Sequence, residues 1–291
     1  MALFSNGVEQ FHFFQGVLSS CQFLSGLYAV SRHPAGAALL ESMVVYRIDG
    51  VYEVTFPPYP DHPVLIEPKA LNPNVWVTNS ALIQQLQGLY QQLLQLPGER
   101  YIRWMPVEKA PHVEGDRTAR LFEMAYAKLM KQRFPEKYKH IPDDQPLDIY
   151  RAFGVYHYHP ATALRDLTGW TVEVFIANGG TVFEQSGSFA DEAKGKHRPV
   201  DKLKKMLAAF AESQGSQVMV ASSIGQPVGM PYWLDPGQKI NPWHDHAVMS
   251  VDTVRQRVTL VDPINTRIEL GLTYEDFFRY FNGVSVAYGP E

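Results

Sequence analysis

A chain of 291 residues, 45% hydrophobic and 19% charged, can bury a core large enough for one sizeable domain or two lobes. Its formal net charge of −4 argues against a nucleic-acid partner, and its single cysteine excludes internal disulfides and Cys-based zinc sites. No apolar run reaches membrane-spanning length, and residues 1–20 lack the basic start of a secretory signal, so an aqueous location is expected: cytoplasmic, or a host cytosol reached through a dedicated secretion machine.

The lone thiol, Cys21, stands between Ser19-Ser20 and an apolar run of helical spacing, Phe23, Leu24, Leu27 and Tyr28. This pattern predicts a helix capped by Ser19 or Ser20, with Cys21 in its first turn. Unpaired N–H groups and the helix dipole favour negative charge there, which makes a thiol a better nucleophile. Taken alone, a single cysteine is more often a small buried hydrophobe. A break is expected at residues 32–36. Two β-rich runs, Met43–Ile48 and Val51–Phe56, then flank Asp49-Gly50 and predict a hairpin.

After a proline-rich connector over residues 57–63, helical periodicity returns at 79–96 and more strongly at 116–133. In the second stretch Leu121, Phe122, Ala125, Leu129 and Met130 form one face, and Pro135 ends it. Asp143, Asp144 and Asp148 fit no calcium-loop spacing and read as solvated. A short helix is expected at 162–167, closed by Gly169. Beyond residue 168 the pattern turns to strands: 171–176, 218–221, 246–251, 257–261 and 284–288. Two helices fall among them, at 201–213 and from Thr273 to Phe281, with a loop at 185–198. The expected class is α+β: a helical lobe over residues 1–168 carrying the nucleophile and a β-rich lobe over 169–291, together one core.

A nucleophilic cysteine needs a base, a group that orients the base, and oxyanion donors. Of the ten histidines, His33, His62, His112, His140 and His197 lie in polar or proline-rich connectors and are expected to be exposed. His157 with His159, and His244 with His246, form His-x-His pairs. On a strand that spacing puts two imidazoles on one face, which suits a metal, but no further ligand is evident. His246 opens the strand Ala247–Val251. A hairpin turning at 253–256 would bring Asp262, at the end of the next strand, beside His246, where a carboxylate can fix the imidazole tautomer.

These residues resemble the core of calpain-type cysteine proteases, a branch of the papain-like fold. The Q-G-x-x-x-x-C pattern is matched by Gln15-Gly16 and Cys21, and a helix motif L-x-E-x-A-Y-A-K-L by Leu121–Leu129. A-x-x-D-x-T-G is matched by Ala163–Gly169. The base motif H-A-x-S-V is matched by His246-Ala247-Val248-Met249-Ser250-Val251, with one extra residue. N-P-W corresponds to Asp262-Pro263-Ile264. Gln22 and Ile264 replace the family's usual tryptophans and Asp262 its asparagine, marking a divergent relative of bacterial rather than animal type.

The resemblance implies a two-lobed papain-like fold with Cys21 as nucleophile, His246 as base, Asp262 as orienting residue and Gln15 as oxyanion donor. The implied activity is a cysteine endopeptidase acting on protein or peptide substrates. Two alternatives use the same scaffold: a glutamine deamidase or transglutaminase, and a catalytically inactive binding module. No cofactor is required. Calpain cores bind calcium, but no calcium ligands map onto this chain.

Overall fold

Val218-Met219-Val220-Ala221 is apolar at every position, so a strand made from it must be covered on both faces. In the computed structural model both faces are covered, and the fold is arranged around that strand. The structure describes residues 3–4, 7–15, 20–71, 114–138, 160–176, 200–213, 215–223, 232–234, 238–241 and 244–290. The expected helix at 79–96, the loop at 185–198, the three acids at 143–148 and the pair His157/His159 lie outside these residues.

In chain order the elements are β1 (Phe13–Phe14), α1 (Cys21–Arg32), α2 (Pro34–Ser42), β2 (Val44–Tyr46), β3 (Tyr52–Val54) and β4 (Val64–Ile66). Next come β5 (Glu114–Gly115), α3 (Arg117–Arg133), α4 (Pro160–Thr168), β6 (Thr171–Ile176), α5 (Val200–Glu212), β7 (Gln217–Ser223), β8 (Tyr232–Leu234) and β9 (Gln238–Ile240). The chain closes with β10 (Asp245–Asp252), β11 (Arg257–Val261), β12 (Glu269–Thr273), α6 (Tyr274–Tyr280) and β13 (Phe281–Tyr288), with short helical turns between some elements. The fold is α+β.

The main sheet has the order β12-β11-β10-β7-β13-β6, and every neighbouring pair is antiparallel. Strand alternation divides its side chains between two cores. Val218, Val220, Ala247, Val261 and Ala287 join Phe23, Leu24 and Leu27 of α1, Ala125 and Leu129 of α3, and Leu164 and Leu167 of α4. Met219, Ala221, Val248, Leu260, Val284 and Val286 face the other way, onto Leu203 and Leu207 of α5 and Phe277 of α6. The helices of the first half therefore share a core with one face of the second half's sheet.

Several local features have a plain physical cause. Asp116 caps α3 by accepting from the Thr118 N–H at 2.7 Å, and Thr273 caps α6 by accepting from the Asp276 N–H at 3.1 Å. β2 and β3 pair across Asp49-Gly50, with Gly50 at φ 81°, a left-handed conformation that favours glycine. The turn between β10 and β11 covers residues 253–256.

Some expectations are corrected. Ser20 occupies the N-cap position of α1, but its side chain makes no capping bond. The break expected at 32–36 is only a boundary, because Pro34 opens α2 at a position where proline's missing N–H is harmless. His33, expected to be exposed, is buried as the N-cap of that helix; its Nδ1 accepts from Gly36 N–H at 3.1 Å and its ring lies edge-on to Trp170 at 4.9 Å. Any Cβ at Gly36 would collide with the Val30 carbonyl, so only glycine lets α2 start this close to α1.

A buried carboxylate ties the first-half helices together. Asp166 of α4 accepts from the Tyr59 hydroxyl at 2.7 Å, the Tyr126 hydroxyl at 3.0 Å and Arg133 Nη1 at 3.2 Å. The Arg133 guanidinium also lies 3.9 Å over the Tyr59 ring. Truncating Asp166 leaves the buried Tyr126 hydroxyl and Arg133 without this acceptor. Asp166→Ala should therefore lower unfolding free energy by about 3 kcal/mol in urea titrations, whereas a surface substitution such as Glu41→Ala should change it little.

Candidate active site

Three segments converge at one end of the main sheet: the start of α1, Asn241 with residues 244–246 at the start of β10, and the turn that follows β11. Hydrogen bonds set their spacing. Ser25, one turn along α1 from Cys21, donates to the Asp245 carbonyl at 2.7 Å and anchors the helix to β10. Ser223, at the end of β7, brackets His244: its N–H donates to the His244 carbonyl at 2.9 Å, and its Oγ accepts the His244 N–H at 3.0 Å. The β10–β11 register pairs Ala247 with Val261, which brings Asp262 to the same end of the sheet as His246 and His244.

Cys21 is the first residue of α1 and is partly buried. Its Sγ lies 3.6 Å from Gln22 Oε1 and 3.9 Å from Asp245 Oδ2. The Cys21 thiol also acts on the His244 imidazole by charge and hydrogen bonding, favouring its protonated form. The imidazole Nε2 lies 2.7 Å from Asp262 Oδ1. That oxygen also accepts the Ile264 N–H at 2.7 Å, and Oδ2 accepts Asn241 Nδ2 at 2.9 Å. His244 thus spans the thiol and a carboxylate that is itself held by two further donors.

The expected base, His246, is not the imidazole that meets the thiol. It lies within the β7–β10 ladder opposite Ala221, is fully buried, and packs edge-on to Phe281 at 5.3 Å. Strand alternation explains the displacement: Asp245 and Ala247 face the α1 side, so His246 turns to the other face of the sheet. His244 precedes the strand and is not bound by that alternation. Its ring meets His246 edge-on at 5.0 Å. His246 Nε2 stands 3.6 Å from Asp262 Oδ2.

The electrostatics follow from burial and neighbours. Burial opposes charge on His244, but the Asp262 carboxylate and Cys21 outweigh it and carry the imidazole well above its ordinary value. Burial also works to raise Asp262, yet the His244 charge and hydrogen bond, His246 and the Ile264 N–H hold it below the usual carboxylate range. Burial pushes His246 down to about 4, with repulsion from His244 adding to it against the pull of Asp262.

Sequence reading missed Asp245. Its Oδ1 accepts the Ser222 hydroxyl, and burial pushes it up to about 6, against the downward pull of Ser222, His244 and the thiol. The signal was present in its place next to His246, where alternation aims the two side chains at opposite faces of the sheet. Gln15 is brought to the same turn by its backbone, whose N–H donates to the Pro263 carbonyl at 2.8 Å, and its side chain is buried. Residues 16–19, which join it to Cys21, lie outside the described residues. Among the described residues, His244, His246 and Asp262 form the cluster of candidate metal ligands, and two imidazoles do not suit calcium, which prefers oxygen ligands. No protein-family model and no curated protein matches this chain.

Asp245 gives the site a pH signature. An unfolded aspartate titrates near 4 and the folded one at about 6, so raising the pH through that window ionises a buried carboxyl and destabilises the fold, by roughly 3 kcal/mol when complete. Asp245→Asn should raise Tm at pH 8 and leave it nearly unchanged at pH 4, measured by thermal melts at both. An equal effect at the two pH values would contradict this electrostatic origin.

Proposed function

We propose that this chain is a cysteine endopeptidase of papain-like architecture, with Cys21 as nucleophile, His244 as general base and acid, and Asp262 as the residue that orients His244. The observation that carries the reading is His244, held by Asp262 at 2.7 Å and shifted toward its charged form by Asp262 and the Cys21 thiol. Nucleophile, base and orienting group, in that sequence of contacts, are what thiol acyl transfer requires. The order of motifs from Gln15 to Asp262 that resembles calpain-type proteases supports the peptidase class, its base motif falling on His246, two residues from His244.

The mechanism runs through the chain's own groups. His244 takes the Cys21 proton and leaves a thiolate paired with imidazolium. The thiolate attacks a peptide carbonyl carbon, forming the C–S bond and moving charge onto the oxygen. That oxygen would be met by the N–H groups in the first turn of α1, where the helix dipole also favours negative charge, and by Gln15. As the intermediate collapses, the C–N bond breaks and His244 gives its proton to the departing amine. His244 then removes a proton from water, hydroxide attacks the thioester, and the acid product leaves with Cys21 restored. Asp262 keeps the ring in register throughout. The expected tryptophan beside it is Ile264, and the Asp262 side chain keeps 21% of its surface exposed.

Iodoacetamide labelling and peptide cleavage test the assignment. Cys21→Ala should abolish both, and His244→Ala should lower kcat/KM by about 10²–10⁴. Asp262→Ala should cause a smaller loss. Full activity in Cys21→Ala defeats the proposal, and an active His244→Ala with an inactive His246→Ala returns the base role to His246. Mass spectrometry of a treated protein substrate reads the reaction type: new termini support the peptidase, and glutamine converted to glutamate without new termini shifts the same thioester chemistry to side-chain amides.

A further inference from the structure

We propose that His244, His246 and Asp262 form a binding site for a divalent transition metal of the zinc class, and that its occupation arrests the thiol chemistry. The His-x-His spacing alone supplies two ligands. The β10–β11 hairpin supplies the third, and one ligand atom from each of the three residues falls within 4.8 Å of the others. His244 Nε2 is 2.7 Å from Asp262 Oδ1, and His246 Nε2 is 3.6 Å from Asp262 Oδ2. Tetrahedral zinc bonds of about 2.0–2.1 Å space their ligand atoms roughly 3.3 Å apart, so side-chain shifts of about an ångström would close the set.

The independent sign of a ligand is His246 itself. It is fully buried, and its Nε2 makes no hydrogen bond among the described residues. A buried imidazole nitrogen left unsatisfied is costly to fold, and Nε2 is directed toward the Asp262 carboxylate at 3.6 Å. Metal coordination would satisfy that nitrogen. The carboxylate is already oriented for the task by the Asn241 amide and the Ile264 N–H, the kind of outer contact that fixes metal ligands. Two imidazoles and one carboxylate select zinc-like ions over magnesium or calcium. The partly exposed Asp262 side chain gives a route in from solvent.

Occupation has a direct chemical consequence. The metal takes the place of the proton held between His244 Nε2 and Asp262, and that proton leaves to solvent. Of the two protons of the His244 imidazolium the ring then keeps one, on Nδ1, while the Nε2 lone pair is on the metal, so neither nitrogen is free to take a proton from Cys21. Cys21 is not in the ligand set. Water completes the fourth position.

Cobalt reports this site without relying on activity. The full chain, first stripped with chelator, is titrated with Co²⁺ and with Zn²⁺. One equivalent of Co²⁺ should give the visible absorption of tetrahedral coordination without a thiolate charge-transfer band, and Cys21→Ala should bind equally well. His246→Gln should weaken binding at least tenfold, and Asn241→Ala by about 10–100-fold through the outer contact. Far-UV circular dichroism checks that each variant is folded. Zn²⁺ should slow iodoacetamide labelling of wild-type Cys21 at least tenfold, with recovery after EDTA. Loss of binding in Cys21→Ala, undiminished binding in His246→Gln, or no stoichiometric binding by the wild type overturns the site. Unchanged labelling in the Zn²⁺-loaded protein overturns the arrest.

Discussion

Helix α1 is enclosed on all sides, and that enclosure is the constraint on which the site depends. Gln22 through Ser31 are all buried, a pattern expected only of a helix inside the protein. Leu24 and Leu27 pack among the side chains of α4 and the main sheet, while Gly26 admits Leu164 and Leu167 at close range. Such a helix can neither roll nor slide without opening voids that cost several kcal/mol. Cys21 at its first position is therefore fixed relative to the sheet, and Ser25 completes the attachment by binding the backbone of β10. Whatever faces Cys21 is decided by where β10 begins.

One carboxylate, Asp245, stands beside the thiol and another, Asp262, holds His244, and their surroundings drive their titrations apart. Asp262 accepts from an imidazole, a side-chain amide and a backbone N–H, and that supply of donors keeps it ionised despite burial. Asp245 accepts from the Ser222 hydroxyl and the thiol, too little to offset burial, and it is pushed up to about 6. The pattern separates a permanent anion that orients His244 from an acid that titrates beside the sulfur. The same crowding leaves His246 buried and neutral next to Asp262. A proton between His244 and Asp262 and a metal ion among all three residues compete for the same electron pairs, so the geometry that builds a catalytic base also builds a ligand set.

Much of the framework can be read from the residues. Apolar periodicity located α3, the Asp49-Gly50 hairpin and five of the six strands of the main sheet. Capping chemistry located Thr273, because that signal acts over three or four residues and needs no distant partner. α2 escaped because Pro34 reads as a terminator until one sees that it also suits a first turn. β12 escaped because Glu269-Leu270-Gly271-Leu272-Thr273 is a short run broken by a glycine, and the β1–β5 pair because its two strands lie far apart along the chain.

For the site, the sequence by itself determined that one thiol sits at the start of a buried helix, that a His-x-His pair opens a strand, and that Asp262 ends the strand paired with it. It could not decide which imidazole meets the sulfur. That choice rests on which face of the sheet lies against α1, a tertiary fact that puts Asp245 and Ala247 toward the helix, turns His246 away and leaves His244, just ahead of the ladder, to span Cys21 and Asp262. Side-chain alternation is local, but the identity of the covered face depends on a helix more than two hundred residues distant in the chain.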